Sequence, residues 1–233
     1  ENVERHKFRA GRIVEVPGVG VDLSRIDDAC DANCRADLRA AHGYGTEDYL
    51  LFYAAELSDR KNQKMLLDVL ERLLPRIPGV RLILAGRDLL DGALQMEAAT
   101  RGLSDRVDFV GHREDVPEWL LLADLVVASS QQEGLPVNLI EAMACGRPVV
   151  ATAVRGHVDL IDHEINGLLV PSGDANTMAE AAELLYKNPE AAEAMAAQAV
   201  EDARRYSLVE VLPQVARLYD EALEAAQKRR GGR

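Results

Sequence analysis

The chain has 233 residues, 48 % of them hydrophobic, enough for one large domain or two small ones with an ordinary core. Its 39 acids against 27 bases leave a net charge of −12, which argues against a broad nucleic-acid surface. No run approaches eighteen apolar residues and the opening ENVERHKFRAGR is charged throughout, so the expectation is a soluble, cytoplasmic protein with neither transmembrane segment nor secretory leader.

In chain order, short apolar, β-branched runs alternate with longer helical patterns. The predicted strands are RIVEVP (12–17), YLLFYAAE (49–56), RLILAG (81–86), RVDFVG (106–111), DLVVASS (124–130), RPVVATAV (147–154) and GLLVPS (167–172). Helical patterns fall at 61–74, 91–102, 115–122, 136–145, 156–162 and 175–186. Near-continuous hydrophobic strands alternating with helices predict a mainly parallel sheet covered on both faces, a Rossmann-like three-layer α/β/α sandwich. The run NPEAAEAM onward predicts a long helical tail interrupted near Tyr206 and Ser207. Ser207 should cap a last helix reaching about Lys228, with Glu210 as its capping-box partner. The basic end QKRRGGR reads as a frayed, solvated tail.

Three cysteines, an odd number, argue against a disulfide framework. Cys30 and Cys34 share a helix face on spacing alone, but no CxxC pair exists and His42 is the nearest extra ligand, so no zinc site is expected. PGVGVD (17–22) is glycine-rich but lacks the third glycine and following helix of a dinucleotide fingerprint. His112 and His157 stand without the Ser or Cys context of a nucleophilic triad.

The stretch QQEGLPVNLIEAMACGRP carries more. A helix starts near Pro136, where a missing N–H costs nothing, and Gly146 fits its end. No Ser, Thr, Asp or Asn stands immediately ahead as a cap, so N–H groups around Val137, Asn138 and Leu139 are left for water or for an anion such as phosphate. Glu133 in the turn and Glu141 in the helix suit vicinal hydroxyls of a sugar or ribose, since a carboxylate accepts two hydrogen bonds side by side; a solvated glutamate is the plain alternative for either. In AAELSDRKNQK, Arg60 and Lys61 follow a strand and precede a helix, the end where the dipole disfavours bases. Two bases there could neutralise a diphosphate.

Taken together these segments resemble the C-terminal, donor-binding domain of a family 4 (group 1) glycosyltransferase, one half of a GT-B fold, of the type that builds exopolysaccharide and capsule chains. The resemblance runs in order through PGVGVDLSRI, AELSDRKNQKMLLDVL, RLILAG, LSDRVDFVGHREDVPEWLLLADLVVASSQQEGLPVNLIEAMACGRPVVATAVRGHVDLI and INGLLVPSGD. Its most specific element is E-x7-E, here Glu133 to Glu141. The resemblance implies that Glu133 meets the sugar at the reacting face as the catalytic residue and that Glu141 holds the ribose. It implies that the backbone of Gly134, Leu135, Pro136, Val137 and Asn138 meets sugar and phosphates, and that Lys61, with Arg60, meets the diphosphate. The base would lie at Gly111, His112 and Arg113. Many members carry Arg where this chain has Glu56, and Arg60 is the base available to replace it.

The implied activity is transfer, with retention and without a metal or other cofactor, of a sugar from a nucleotide-diphosphate donor, expected to be a UDP-sugar, to a glycan or lipid-linked acceptor. The acceptor would bind an N-terminal domain absent from this chain, whose first hydrophobic unit reads like the middle of a protein. The expected division is a donor domain over 1–206 and a helix from 207 crossing toward that absent domain. A full-length protein could sit at the inner face of the membrane. A sugar-nucleotide epimerase and a non-catalytic nucleotide-binding module are the alternatives.

Overall fold

The computed structural model describes residues 14–32 and 34–231. They divide into two units, one of residues 21–204 and the other joining 14–20 to 205–231.

The larger unit opens with helices α1 (Ser24–Ala32) and α2 (Arg35–Ala41). It then alternates β1 (Tyr49–Ala54), α3 (Gln63–Leu73), β2 (Val80–Ala85), α4 (Ala93–Thr100), β3 (Val107–Gly111), α5 (Val116–Leu122), β4 (Leu125–Ala128), α6 (Val137–Ala144), β5 (Val149–Thr152), α7 (His157–Leu160) and β6 (Leu168–Val170). Helices α8 (Ala175–Lys187) and α9 (Pro189–Ala203) complete it. All six strands are parallel, in the order β3-β2-β1-β4-β5-β6.

Leu50, Leu51, Phe52 and Tyr53 of β1 are each at most 1 % exposed, and all four residues of β4 are buried. Central strands of a parallel sheet are covered on both faces, so they read as unbroken apolar runs. Each large side chain so buried contributes about 1.5–3 kcal/mol. Helix α3 covers the sheet with Met65, Leu66, Val69, Leu70 and Leu73 and packs on α8.

Asp124, just ahead of β4, ties the amino ends together. Its carboxylate accepts from the Leu50 N–H at 2.7 Å, from Arg39 at 3.1 Å and from Arg35. Arg39 also donates to the carbonyls of Gly45, at 3.1 Å, and Asp48.

Three expectations need correction. Residues 14–17 form no strand, and 12–13 lie outside the described residues. Val14 is 43 % exposed, and Pro17 has no N–H to give a ladder. Helices α1 and α2 escape a reading based on hydrophobic periodicity because their apolar stripe is thin: Ile26 is the large apolar anchor of α1, and α2 buries Arg39. Cys30 lies within α1 whereas Cys34 is the residue ahead of α2, so the two do not share a helix face. Both are exposed, while Cys145 is buried and its thiol is pushed up to about 12, first by that burial.

The smaller unit carries α10 (Leu208–Gly231), with Pro213 inside it. Ser207 Oγ accepts from the Glu210 N–H at 3.3 Å, the cap expected there. The stretch QKRRGGR, expected as a frayed tail, is instead helical through Gly231 as the end of α10, and residues 232–233 lie outside the described residues. No helix among the described residues is long and apolar enough to cross a membrane.

Candidate functional site

Strand order reverses between β1 and β4, which are neighbours in the sheet but not in sequence. In open parallel sheets the crevice at the carboxyl ends of such a pair is where ligands bind. Here the two outgoing loops are laced together. The Gln131 N–H donates to the Arg60 carbonyl at 2.9 Å, and Ser129 Oγ to the Lys61 carbonyl at 2.8 Å.

That lacing brings Glu133 onto the basic pair 72 residues away in sequence. Lys61 Nζ lies 2.5 Å from Glu133 Oε1, and an Arg60 guanidinium nitrogen 3.6 Å from Oε2. Ser130 Oγ donates to the same Oε1 at 2.6 Å. Since that hydroxyl has one proton, Tyr53 OH is the donor in its 2.7 Å bond to Ser130 Oγ. Behind them, Thr152 Oγ1 donates to the Ser130 carbonyl at 2.6 Å, and His157 Nδ1 donates to the Thr152 carbonyl at 2.8 Å. Burial lowers the pKa of His157, which favours the neutral ring with its proton on Nδ1.

Burial works to raise the Glu133 pKa, but the Lys61 and Ser130 hydrogen bonds outweigh it and hold the carboxyl below its ordinary value. Oε1 therefore has both lone pairs committed, whereas Oε2 faces only the more distant Arg60. An ionised, fixed carboxylate with one open oxygen can accept a ligand hydroxyl.

Gly156 makes this packing possible. Its φ is +87°, and an added Cβ would lie 2.4 Å from the Gly134 carbonyl and 2.9 Å from Glu133 Cβ. At the neighbouring strand ends, a Cβ on Gly86 would lie 1.9 Å from the Ala55 carbonyl. That close approach lets Gly86 N–H donate to the Gly111 carbonyl at 2.7 Å and Leu57 N–H to the Arg87 carbonyl at 2.9 Å. Three strand ends thus form a hydrogen-bonded rim.

Beside that rim opens a cleft of about 340 Å³, bordered by Glu56, Arg87, His112, Arg113, Asn138 and Glu141. Asn138 Nδ2 donates to the Ala54 carbonyl at 3.0 Å, fixing the start of α6 against β1. Burial raises the Glu141 pKa, with Arg25 countering. Arg113 is held by Asp115, Nε to Oδ1 at 2.7 Å, and lies 5.4 Å over the Trp119 ring. A larger groove of about 500 Å³, bordered by Arg35, Tyr49, Asp124, Arg147 and Tyr186, lies at the amino ends of the strands and holds none of the candidate residues.

Of the expected site residues, His112, Arg113, Val137, Asn138 and Glu141 border the cleft, while Arg60, Lys61 and Glu133 form the adjoining ion cluster. Gly134 lies against Gly156, and Gly111 takes a positive φ of 69° at the rim. Pro136 does precede α6 without a side-chain cap. The free N–H groups expected there are fewer, because Val137 N–H bonds the Leu135 carbonyl and Leu139 N–H the Pro136 carbonyl, each at 3.0 Å. A local turn has taken them, and Asn138 N–H is left. The misfit of Arg60 and Lys61 with a helix start is answered by Glu133 and by the turn that places both ahead of Gln63.

Tyr53, Ser130 and Thr152 carry no local signal because strand and loop residues show no sign of which side chain they support, and His157, noted only as lacking a triad context, supports the Thr152 carbonyl. Arg87 stands directly after a strand at the same sheet edge, and that position was the available signal.

Residues 35–202 match the family described as glycosyl transferases group 1. EpsD of Bacillus subtilis (strain 168), named as a glycosyltransferase, is 34 % identical over 218 residues, which are 94 % of this chain and 57 % of that protein. Anabaena HepE, solved with UDP, superposes with a TM-score of 0.78 at 27 % identity, over 87 % of this chain and 56 % of that one. Sucrose-phosphate synthase of Thermosynechococcus elongatus gives 0.81 at 28 %, over 96 % and 56 %. The chain spans a little over half the length of each of these relatives. By its match over residues 35–202 and its likeness to EpsD, the chain belongs to the glycosyl transferases group 1 family.

Proposed function

We propose that this chain is the donor-binding half of a retaining, metal-independent glycosyltransferase that moves a sugar from a UDP-sugar to a glycan or lipid-linked acceptor. The observation that carries the reading is the ion cluster Lys61–Glu133–Ser130 beside the cleft that holds Glu141, at the strand-order reversal. HepE, the relative of similar fold, was solved with UDP and with UDP-glucose, which supports a uridine nucleotide here.

In this reading Glu141 accepts the ribose hydroxyls and the Gly111–Arg113 turn meets the base. Lys61 takes negative charge as it develops on the departing diphosphate, with Arg60 close by. Glu133 Oε2 accepts a sugar hydroxyl at the reacting face, and its negative charge favours the oxocarbenium-like sugar. The cations held at the sheet edge are the protein's own means of stabilising the leaving group. The acceptor binds a further domain, toward which α10 crosses.

Calorimetric titration with UDP tests the proposal. Binding should weaken roughly tenfold to a hundredfold in Glu141→Ala and in Lys61→Ala, the range for a charge-assisted hydrogen bond. No heat with any nucleoside diphosphate would sink it. In the longer protein, Glu133→Gln should depress kcat far more than donor affinity; equal loss of both would favour a binding module.

A further inference from the structure

The cleft beside α6 holds two carboxylates, Glu56 and Glu141, and anions enter it only if cations offset them. Most nearby cations are committed elsewhere. Arg113 is paired with Asp115 and lies over Trp119. Lys61 and Arg60 share Glu133, and Arg60 also donates to the Gln132 carbonyl at 3.2 Å. Arg60, expected to stand in for the base that relatives carry at position 56, does not border this cleft.

Arg87 does. Among the described residues its guanidinium makes no hydrogen bond and no ion pair, and the residue is exposed. Its backbone, by contrast, is held on every side. Its carbonyl takes the Leu57 N–H at 2.9 Å, Gly86 before it is bonded to Gly111, and the Asp88 carboxylate after it accepts Leu90 N–H at 2.8 Å and Gly92 N–H at 2.9 Å. The root of the side chain is therefore fixed at the cleft while its five N–H donors stay open. A planar guanidinium matches phosphate oxygens two at a time, which neither His112 nor a lysine can do.

We propose that Arg87, the arginine of the cleft lining that has no carboxylate partner among the described residues, shares the diphosphate of the bound nucleotide with Lys61. This assignment rests on the nucleotide-sugar reading of the site. With Arg87 removed, the site keeps Arg25 against Glu141 and the Lys61 already paired with Glu133, a weaker offset for an incoming diphosphate.

Titrating UDP and uridine separately into the chain, Arg87→Ala and Arg87→Lys tests it. Uridine carries base and ribose without phosphate, so it reports the Glu141 end alone. The side chain is exposed and unbonded among the described residues, so both variants should retain the fold, as their unfolding midpoints will show. UDP affinity should fall about tenfold or more in Arg87→Ala and recover in part in Arg87→Lys, while uridine affinity changes less than about twofold. Added salt should narrow the UDP difference. Unchanged UDP affinity in Arg87→Ala overturns the assignment. So does a parallel loss of uridine affinity, which puts the guanidinium on the nucleoside. If the unchanged chain binds no UDP, the nucleotide-sugar reading falls and takes this assignment with it.

Discussion

Glu133 and Glu141, eight positions apart, are pushed in opposite directions. Glu141 is desolvated by burial, which outweighs the counteracting Arg25, so its folded pKa lies above the unfolded value. Its ionised form then costs stability, a cost absent below the unfolded pKa and felt as pH rises through the folded one. Glu141→Gln should therefore stabilise the chain by about 1 kcal/mol at neutral pH, with the gain vanishing near pH ~4, while weakening UDP binding. Urea titrations at the two pH values decide this, and an equal gain at both would refute it.

Glu133 has a lowered folded pKa, so its contribution is present above the unfolded value and lost as pH falls through the folded one. Lys61→Met and Glu133→Gln should each cost roughly 2–4 kcal/mol, since each leaves a buried partner without its opposite charge. The double variant should cost clearly less than their sum. Strict additivity in a double-mutant cycle would mean the pair is not coupled.

At the scale of elements, the site is built from loops pinned together at the carboxyl ends of the strands. Gly156→Ala would force a side chain into the Gly134 carbonyl at a positive φ. It should cost about 2–4 kcal/mol and displace Glu133, so that unfolding and transfer assays on the longer protein fall together. At the opposite edge, Asp124→Ala strands Arg39 and the Leu50 N–H and should lower stability by roughly 3–5 kcal/mol. UDP affinity, measured where the variant is still folded, should not change, because that edge holds no candidate site residue. The expected strands from Tyr49 to Val170 all formed within a few residues of their predicted limits, because unbroken apolar runs report burial on both faces directly. The polar helices α1 and α2 carry too little apolar surface to do so.

For the whole molecule, ligand linkage gives the simplest readout. A nucleotide at a hundred times its dissociation constant stabilises a folded chain by about 2.7 kcal/mol. In a chain of this length that should raise the unfolding midpoint by roughly 5–10 °C, and UDP should outperform ADP if the donor is uridine-linked. A scan in which all nucleotides leave the midpoint unchanged would count against the site. If the proposed division of labour holds, with the acceptor on a further domain, this chain by itself should transfer no sugar; robust transfer by it would refute that division.

The order of elements, the parallel sheet and the E-x7-E helix were legible in the residues themselves, because hydrophobic periodicity and turn chemistry act over a few positions. The family resemblance pointed to the sheet edge at which the candidate residues lie together. What only the tertiary structure decided is which charges meet. Lys61 lies 72 residues from Glu133, and Tyr53 lies 77 from the serine that it supports. Arg87 borders the same cleft as Glu141, carried there on the strand next to β1. Such pairings depend on strand order and loop closure across the whole domain, and no local spacing encodes them.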